Sequence, residues 1–317
     1  MSRLAQGITV VISAWQAQDF ITECLDSIAK QDWDFTQLEV LIGVDNCMTT
    51  FKKIREIELN YVQLNMKVLW FKQNCGTYIV CNTLVSLAKY NNILRFDSDD
   101  YMQPNMIKEI MVQDDRFNVI EFGMTNFDND TKTIEHHNKL SEGCRFYTKQ
   151  LFILAGGYMP WRHSADSEFL NRVKPITSAI WIKKSLFMRR RHQQQLTKAP
   201  QTCIGSPERK SKAVLVRDNF DKGIIQIPLI TCNDYRLVKR KRITDKMVQR
   251  EINRFADGVL CTTENLIPVF LNQHKQIITY REQPINHKDL PVVEKYYRKA
   301  KEELLYGKTL TLWTRYR

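Results

Sequence analysis

Apolar positions in the first hundred residues switch between two periods. Ile8-Thr9-Val10-Val11-Ile12, Leu38–Val44, Met66–Phe71 and Ile93–Phe96 are short, largely β-branched runs that predict strands. Between them the spacing turns helical. Phe20, Ile21, Cys24, Leu25 and Ile28 line one face of a helix over Phe20–Gln31, and Thr49–Leu59 and Tyr78–Lys89 predict two more. Strand and helix in regular alternation predict an α/β fold with a doubly wound, mainly parallel sheet flanked by helices. Ligands of such sheets sit beyond the carboxyl ends of the strands. Ser13, Asp45, Asn74 and Asp97 all fall there.

The later pattern is less regular. Asn118–Gly123 predicts a strand, and the polar stretch Thr125–Glu142 a loop or hairpin. Lys149–Ala155 is short and apolar and is broken by Gly156-Gly157; Ser167–Val173 predicts a helix. Arg189–Arg209 is basic and poor in apolar residues, which predicts a loop that orders on binding. Ala213–Val216 and Ile224–Ile230 read as strands; stretches near Asp245–Phe255, Asn265–Asn272 and Leu290–Leu305 read as helices, the last with Pro291 in its first turn. The expected division is residues 1–210 and a basic, mainly helical C-terminal extension, 211–317, strands first and helices after.

Composition adds a compartment and a charge. With 43% hydrophobic and 26% charged residues the chain is that of a globular protein. No apolar run reaches the roughly 18 residues a membrane helix needs, and the first residues do not form a secretory signal. The eight cysteines show no Cys-x-x-Cys spacing, so reduced thiols in a cytoplasmic protein are expected. The net charge of +12 is concentrated. Arg189–Arg254 holds 17 Lys/Arg against 6 Asp/Glu, which predicts a polyanionic partner or an anionic membrane surface.

Candidate chemistry centres on Leu94–Pro104, where a strand ends in Asp97, Asp99 and Asp100. On extended backbone residues i and i+2 face the same way, so Asp97 and Asp99 would meet one ligand together. Their repulsion calls for donors or a cation, and a divalent ion shared with substrate phosphates meets that need. An isolated Asp-x-Asp is more often a solvated turn, but here it has company. Cys24-Leu25-Asp26-Ser27-Ile28 with Gln31, Val44-Asp45, Asn74-Cys75-Gly76 with Asn82, Asp97-Ser98-Asp99-Asp100 with Pro104, Gly156-Gly157-Tyr158, Asp166 with Arg172, and His192 follow in order.

In that order and spacing, residues 8–210 resemble a family 2 glycosyltransferase of the GT-A fold. The resemblance implies a nucleotide-sugar-binding and catalytic domain over 1–210 and an inverting transfer of a sugar, hexosyl or pentosyl, from a UDP-sugar to an acceptor hydroxyl. It implies Mn²⁺ or Mg²⁺ held by Asp99 and His192, with Asp97 sharing the metal or lying nearer the ribose. Asp45 would read the base, Ser13, Ala14 and Trp15 would line it, and Asn74, Asn82 and Ser98 would complete the nucleotide site. Gly156, Gly157 and Tyr158 would meet the donor sugar or acceptor, and Asp166 would be the catalytic base. The family's Glu before that Asp is Ala165 here, and Glu168, two positions on, is expected to be exposed. The family's Pro at the first strand end is Ser13, and Asn46-Cys47 replaces its Gly-Ser.

The basic surplus after the acceptor-side motif points to nucleic acid as acceptor, in the form of a hydroxymethylated base in double-stranded phage DNA within the host cytoplasm. Arg189, Arg190, Arg191, Lys239, Arg240, Lys241 and Arg242 would then grip phosphates. The alternatives are a peripheral enzyme extending a surface polysaccharide or glycolipid, and a non-catalytic nucleic-acid-binding module. The sequence sets neither sugar, linkage nor oligomeric state.

Overall fold

The computed structural model describes residues 3–141, 143–193, 195, 198 and 202–242, the side chains of 136–139 excepted, and the backbone alone of 259–261, 276–281, 297–305 and 308–315. The chain divides into two units, Met1–Glu56 with Leu64–Arg240, and Ile57–Gln63 with Lys241–Arg317.

The first unit is a mixed sheet flanked by helices. In chain order it comprises β1 (Ile8–Ala14), α1 (Ile21–Ala29), β2 (Leu38–Asp45), α2 (Met48–Ile57), β3 (Asn65–Phe71), α3 (Thr77–Leu87) and β4 (Asn92–Asp97). It continues with β5 (Tyr101–Met102), α4 (Met106–Met111), β6 (Val119–Asp128), β7 (Ile134–Leu140), β8 (Arg145–Thr148), α5 (Lys149–Leu154), α6 (Ala165–Val173), β9 (Ala179–Arg191), α7 (Pro207–Asp221) and β10 (Tyr235–Val238). The strand order is β10-β3-β2-β1-β4-β8-β6-β9-β5, with β7 beside β6. β1, β2, β3 and β4 run parallel, while β8 joins β4 and β6 antiparallel.

The four parallel strands are mostly apolar because helices cover both faces. Val10, Ile12, Val40, Ile42, Leu94 and Phe96 are all buried. The direction of winding reverses between β1 and β4, where Ser13 stands in register with Asp97. Such a reversal opens a crevice at the strand ends.

Three expectations fail in this unit. Arg189–Arg191 end β9, in parallel register with Asn126, Phe127 and Asp128 of β6. Ala213–Val216 lies inside α7, because Ser206 caps that helix by accepting from the Arg209 N–H and Pro207 opens it. Ile224–Ile230 joins no sheet; it runs across α3 and the Gly156-Gly157 turn, with Ile227 N–H donating to Ala155 O and Ile230 O accepting from Asn82. The polar stretch after residue 125 resolves as a hairpin of β6 and β7.

In the second unit β11 (Val259–Cys261), β12 (Gln276–Arg281), β13 (Tyr297–Leu305) and β14 (Lys308–Arg315) form a sheet in the order β11-β12-β14-β13. The helix expected near Leu290–Leu305 is therefore corrected over 297–305. Helix-forming Ala, Lys, Glu and Leu are drawn into β13 by antiparallel pairing with β14, whose Leu310 and Leu312 alternate at strand spacing. The helices expected at 245–255 and 265–272 lie outside the described residues.

Candidate active site

The carboxylates after β4 are held from beneath. In α1, Cys24 Sγ donates to Asp97 O at 3.7 Å, and Ser27 Oγ accepts from the Met102 N–H at 2.9 Å. Gln31 donates to Gln103 O at 2.7 Å and accepts from Ile107 N–H at 3.0 Å. The Cys…Ser…Gln pattern thus braces the Asp turn and the segment that leaves it.

From above, β9 closes the site. Its pairing with β5 at Met188 and Phe187 carries the chain over the turn, and His192 follows. His192 Nε2 lies 2.9 Å from Asp99 Oδ2, with its ring against Phe20 at 4.5 Å between centroids. Asp99 keeps 28% of its side chain exposed. Arg190 is the clamp. Its N–H donates to Asp100 Oδ1 at 2.9 Å, Nε to Asp99 O at 2.8 Å and Nη1 to Asn129 Oδ1 at 2.7 Å; Nη2 pairs with Glu23. At 2% exposure Arg190 is unavailable to a nucleic-acid phosphate, which corrects that expectation.

Negative charge is concentrated here. Burial pushes the Asp97 carboxyl above its usual range, Arg95 pulls it back, and Asp99 pushes it up again. Asp100 is raised further by burial and by Asp99 and Asp97. A divalent cation relieves such crowding, and Asp99 and His192, 2.9 Å apart, present an oxygen and an imidazole donor that a hard ion accepts, with Asp97 on the same turn. Asp97 also lies within 4.8 Å of Asp100 and Cys144, but those two are buried. The residues present therefore fit the implied metal.

Asp166, in the first turn of α6, joins the same site. Tyr78 of α3 donates its hydroxyl to Asp166 Oδ1 at 2.8 Å. Arg95 of β4 places Nη1 3.8 Å from Asp166 Oδ2 and donates from Nη2 to Asp97 Oδ1 at 2.9 Å. One guanidinium thus spans the strand-end carboxylate and the one matched to the base. Asp166 borders a cavity of about 380 Å³ lined also by Ser141, Gly143, Arg145, Tyr158 and Phe169. Neither Arg95 nor Tyr78 is marked by a motif. Arg95 did carry a signal, since a charge inside the apolar run Ile93–Phe96 must find a partner when the strand is buried.

Several expected ligand residues serve the fold instead. Asp45 is 2% exposed, and its oxygens accept from Cys75 N–H at 2.7 Å and Gly76 N–H at 2.9 Å. The carboxylate assigned to the base therefore holds the turn that starts α3. Burial raises its pKa while those two N–H groups oppose the shift. Asn82, assigned to the nucleotide, is fully buried; it donates to Tyr158 O and Ile230 O and accepts from Tyr158 N–H, each at 2.9 Å.

Gly156 and Gly157 have φ of 81° and 68°. A Cβ on Gly156 would collide with the Ile227 carbonyl, and one on Gly157 would lie 2.7 Å from Asn82 Oδ1. The pair makes room for the chain crossing at Ile227 and for the Asn82 amide. Glu168, expected exposed, is 1% exposed and pairs with buried Arg172 at 2.7 Å. Arg172 in turn donates to the carbonyls of Ala155, Gly157 and Ile225.

The remaining predicted residues differ in exposure. Ser13 is half-buried, Ala14 and Ser98 are buried, and Trp15 is 45% exposed at the end of β1. Asn74 is exposed, donates to Asp45 O at 3.4 Å and accepts from Arg162, a contact no motif announced. Tyr158 is buried in an aromatic cluster with Tyr78, Tyr147, Phe152 and Phe169, yet borders the cavity. Arg189 is half-buried, and Arg191, also half-buried, lies 3.8 Å from Glu135. Lys239, Lys241 and Arg242 are exposed, and Arg240 donates to Leu64 O at 3.1 Å.

Comparison with known proteins identifies the family and the fold. Residues 9–191 match the sequence model of "Glycosyl transferase family 2". A poly(ribitol-phosphate) beta-N-acetylglucosaminyltransferase, TarS of Staphylococcus aureus, is 32% identical over 102 residues, 32% of this chain and 18% of that protein. The match therefore spans less than a fifth of the curated relative's length. Among solved structures, residues 1–349 of S. aureus TarS in complex with UDP-GlcNAc superpose with a TM-score of 0.57 at 18% identity, covering 68% of this chain and 66% of that one. A mannosyltransferase from Pyrobaculum calidifontis in complex with GDP-Man and Mn²⁺ gives 0.51 at 13% identity, covering 68% and 72%. At those identities the likeness is one of fold.

Proposed function

The chain belongs to glycosyl transferase family 2, and from that premise we propose an inverting, divalent-metal-dependent transfer of a sugar from a UDP-sugar to a hydroxyl of an anionic polymer. The observation that carries the proposal is the chain of contacts at the end of β4: Arg95 joins Asp97 to Asp166, and His192, following β9, meets Asp99 of the same turn. Asp99 and His192, with Asp97 of the same turn, would hold Mn²⁺ or Mg²⁺, which would supply Lewis-acid neutralisation of the leaving diphosphate. Asp166 accepts the proton of the attacking hydroxyl. Attack from the face opposite the leaving group inverts the anomeric centre. Trp15 offers an exposed ring on which the nucleobase stacks. UDP is favoured over other nucleotides by the UDP-GlcNAc bound to the similarly folded TarS.

The acceptor we favour is a hydroxymethylated base in double-stranded phage DNA, modified in the host cytoplasm. Support comes from the basic surplus after residue 188 and from exposed Lys239, Lys241 and Arg242, which suit a phosphodiester backbone. No described helix is long and apolar enough to cross a membrane. A second reading, a surface poly(polyol phosphate), is favoured by the match to a poly(ribitol-phosphate) transferase and uses the same charge complementarity. The division into a catalytic domain over 1–210 and a basic region over 211–317 remains part of the proposal, with the second segment gripping the polymer.

The test is a screen of radiolabelled UDP-sugars with Mn²⁺ and either hydroxymethylcytosine duplex or poly(ribitol phosphate). Label on the duplex, lost on chelation and falling steeply with salt, is expected. Label on the polyol phosphate alone would move the acceptor to the second reading. Absence of both transfer and UDP release would overturn the enzymatic reading.

A further inference from the structure

Arg95 is the charged residue of the buried run Ile93–Phe96, with 6% of its side chain exposed. The rings of Tyr78 and Tyr158 lie over its guanidinium, at 5.6 Å and 5.9 Å from their centroids. Its Nη1 donates to Gly143 O at 2.5 Å, Nη2 to Asp97 Oδ1 at 2.9 Å, and Nη1 stands 3.8 Å from Asp166 Oδ2. Tyr78 occupies the other oxygen of Asp166 at 2.8 Å. Two elements, β4 and α3, therefore address both oxygens of one carboxylate at the edge of the cavity.

Stability alone is a poor reason to bury this arrangement. The desolvation of a buried ion pair commonly offsets its attraction, and well-packed apolar residues of similar volume serve as well or better. A planar fork does something an apolar side chain cannot. It fixes two carboxylates at a set separation, and the separation here is between the donor-side turn and the acceptor-side helix. Misplacing a reacting group by about 1 Å can cost on the order of 100-fold in rate.

We propose that Arg95 and Tyr78 are positioning residues for sugar transfer: together they hold the Asp166 carboxylate in its working orientation and lock it to Asp97. The inference rests on the reading of Asp166 as the base that accepts the acceptor proton. A lysine at position 95 would keep the charge but, as a point donor, could not serve both carboxylates. Phenylalanine at 78 would keep the ring over Arg95 and remove the hydroxyl bond to Oδ1, leaving that oxygen with the Ser167 N–H at 3.0 Å.

The experiment is a double-mutant cycle on the full chain, read as UDP release from UDP-N-acetylglucosamine with Mn²⁺ and hydroxymethylcytosine duplex, or poly(ribitol phosphate) if that is the acceptor. Arg95→Met is expected to lower kcat about 100-fold and Tyr78→Phe about 10-fold, with the donor KM within about 3-fold of the parent. Arg95→Lys should recover part of the loss. In the Asp166→Asn background Tyr78→Phe should change kcat by less than about 2-fold, because the group it positions no longer accepts a proton, and Arg95→Met should keep only the smaller loss that comes through Asp97. Equal losses with and without Asp166, or a raised donor KM at unchanged kcat, would overturn the inference while leaving the transferase reading intact. If Arg95→Met does not fold, the Tyr78→Phe cycle decides alone. No UDP release by the parent protein would instead remove the reading of the site, and this inference with it.

Discussion

Two turns of the first unit carry the same family motifs to opposite ends. At the Asp97–Asp100 turn the side chains of Asp97 and Asp99 reach solvent, 33% and 28% exposed. At the Gly156-Gly157 turn the matched residues face inward: Asn82 is fully buried, Arg172 is 1% exposed, and the glycines make room for the chain at Ile227. Motif residues on a crevice can act on a ligand; motif residues whose hydrogen bonds are all made inside the protein hold shape. The distinction is one of unsatisfied bonding capacity, and it is testable at each turn separately.

The largest expected effect lies at the crevice. Asp166→Asn keeps the volume of the side chain and its bond from Tyr78 but removes the proton acceptor, so kcat should fall about 10²–10⁴-fold. Steady-state UDP release and a melting curve on the same preparation check this. A melting temperature close to the parent's with the rate lost is the expected pair. Retained turnover would place the base elsewhere.

The second effect lies at the glycine turn and runs the other way. Gly156→Ala forces φ near 81° on a residue with a Cβ and drives that carbon into the Ile227 carbonyl. A loss of about 3 kcal/mol or more is expected in denaturant unfolding. The fraction that folds should keep its kcat within about 2-fold, because the space beside Gly156 is taken by the Ile227 carbonyl. A normal melting curve with lost activity would return the glycines to the donor site.

Much of this contrast was legible in the sequence, and the reason it was not fully so is specific. Periodicity marks β1 to β4 and the helices between them because parallel strands buried on both faces are near-continuous apolar runs. Strand-end polar residues then follow from topology, which marks Asp97 and, two positions on, Asp99; His192 is marked by the family resemblance alone. Period and spacing do not say which way a polar side chain faces. Asp45 and Asn82 therefore read as ligand residues, although their partners, Gly76, Tyr158 and Ile230, are backbone groups brought near only by the fold. Arg95 is the converse: its partner Asp166 is 71 positions away in sequence, so no local pattern links them. β13 escaped because its residues favour helix and only its pairing with β14 decides otherwise.

Asn82→Ala sharpens the comparison further. Removing the amide leaves Tyr158 N–H, Tyr158 O and Ile230 O without partners in the interior. A loss of about 2–4 kcal/mol in unfolding free energy is expected. The donor dissociation constant, measured by calorimetry with UDP and Mn²⁺, should stay within about 2-fold if Asn82 does not touch nucleotide. A tenfold weaker donor with unchanged stability would reverse its assignment.

The smallest effect comes from a buried carboxylate far from either turn, and it isolates the fold-holding role by pH. Glu39 of β2 is fully buried. Burial opposes its charge, but bonds from Lys67 Nζ at 2.8 Å, Lys89 N–H at 2.7 Å and Thr9 Oγ1 at 2.9 Å prevail and hold its pKa below 4.5. A carboxyl whose folded pKa is depressed binds fewer protons in the folded than in the unfolded state between the two values. Its stabilisation is therefore complete above pH 4.5 and disappears as pH falls through the folded pKa. Glu39→Gln should cost about 1–2 kcal/mol at neutral pH, and the difference from the parent should narrow as the pH falls through the depressed pKa of Glu39. The kcat at neutral pH should be unchanged. A stability difference that stayed constant down to pH 3 would mean that the charge of Glu39 contributes nothing. The loss would then come from packing, and the inward-facing polar residues of this sheet could not be taken as a class held by their bonds.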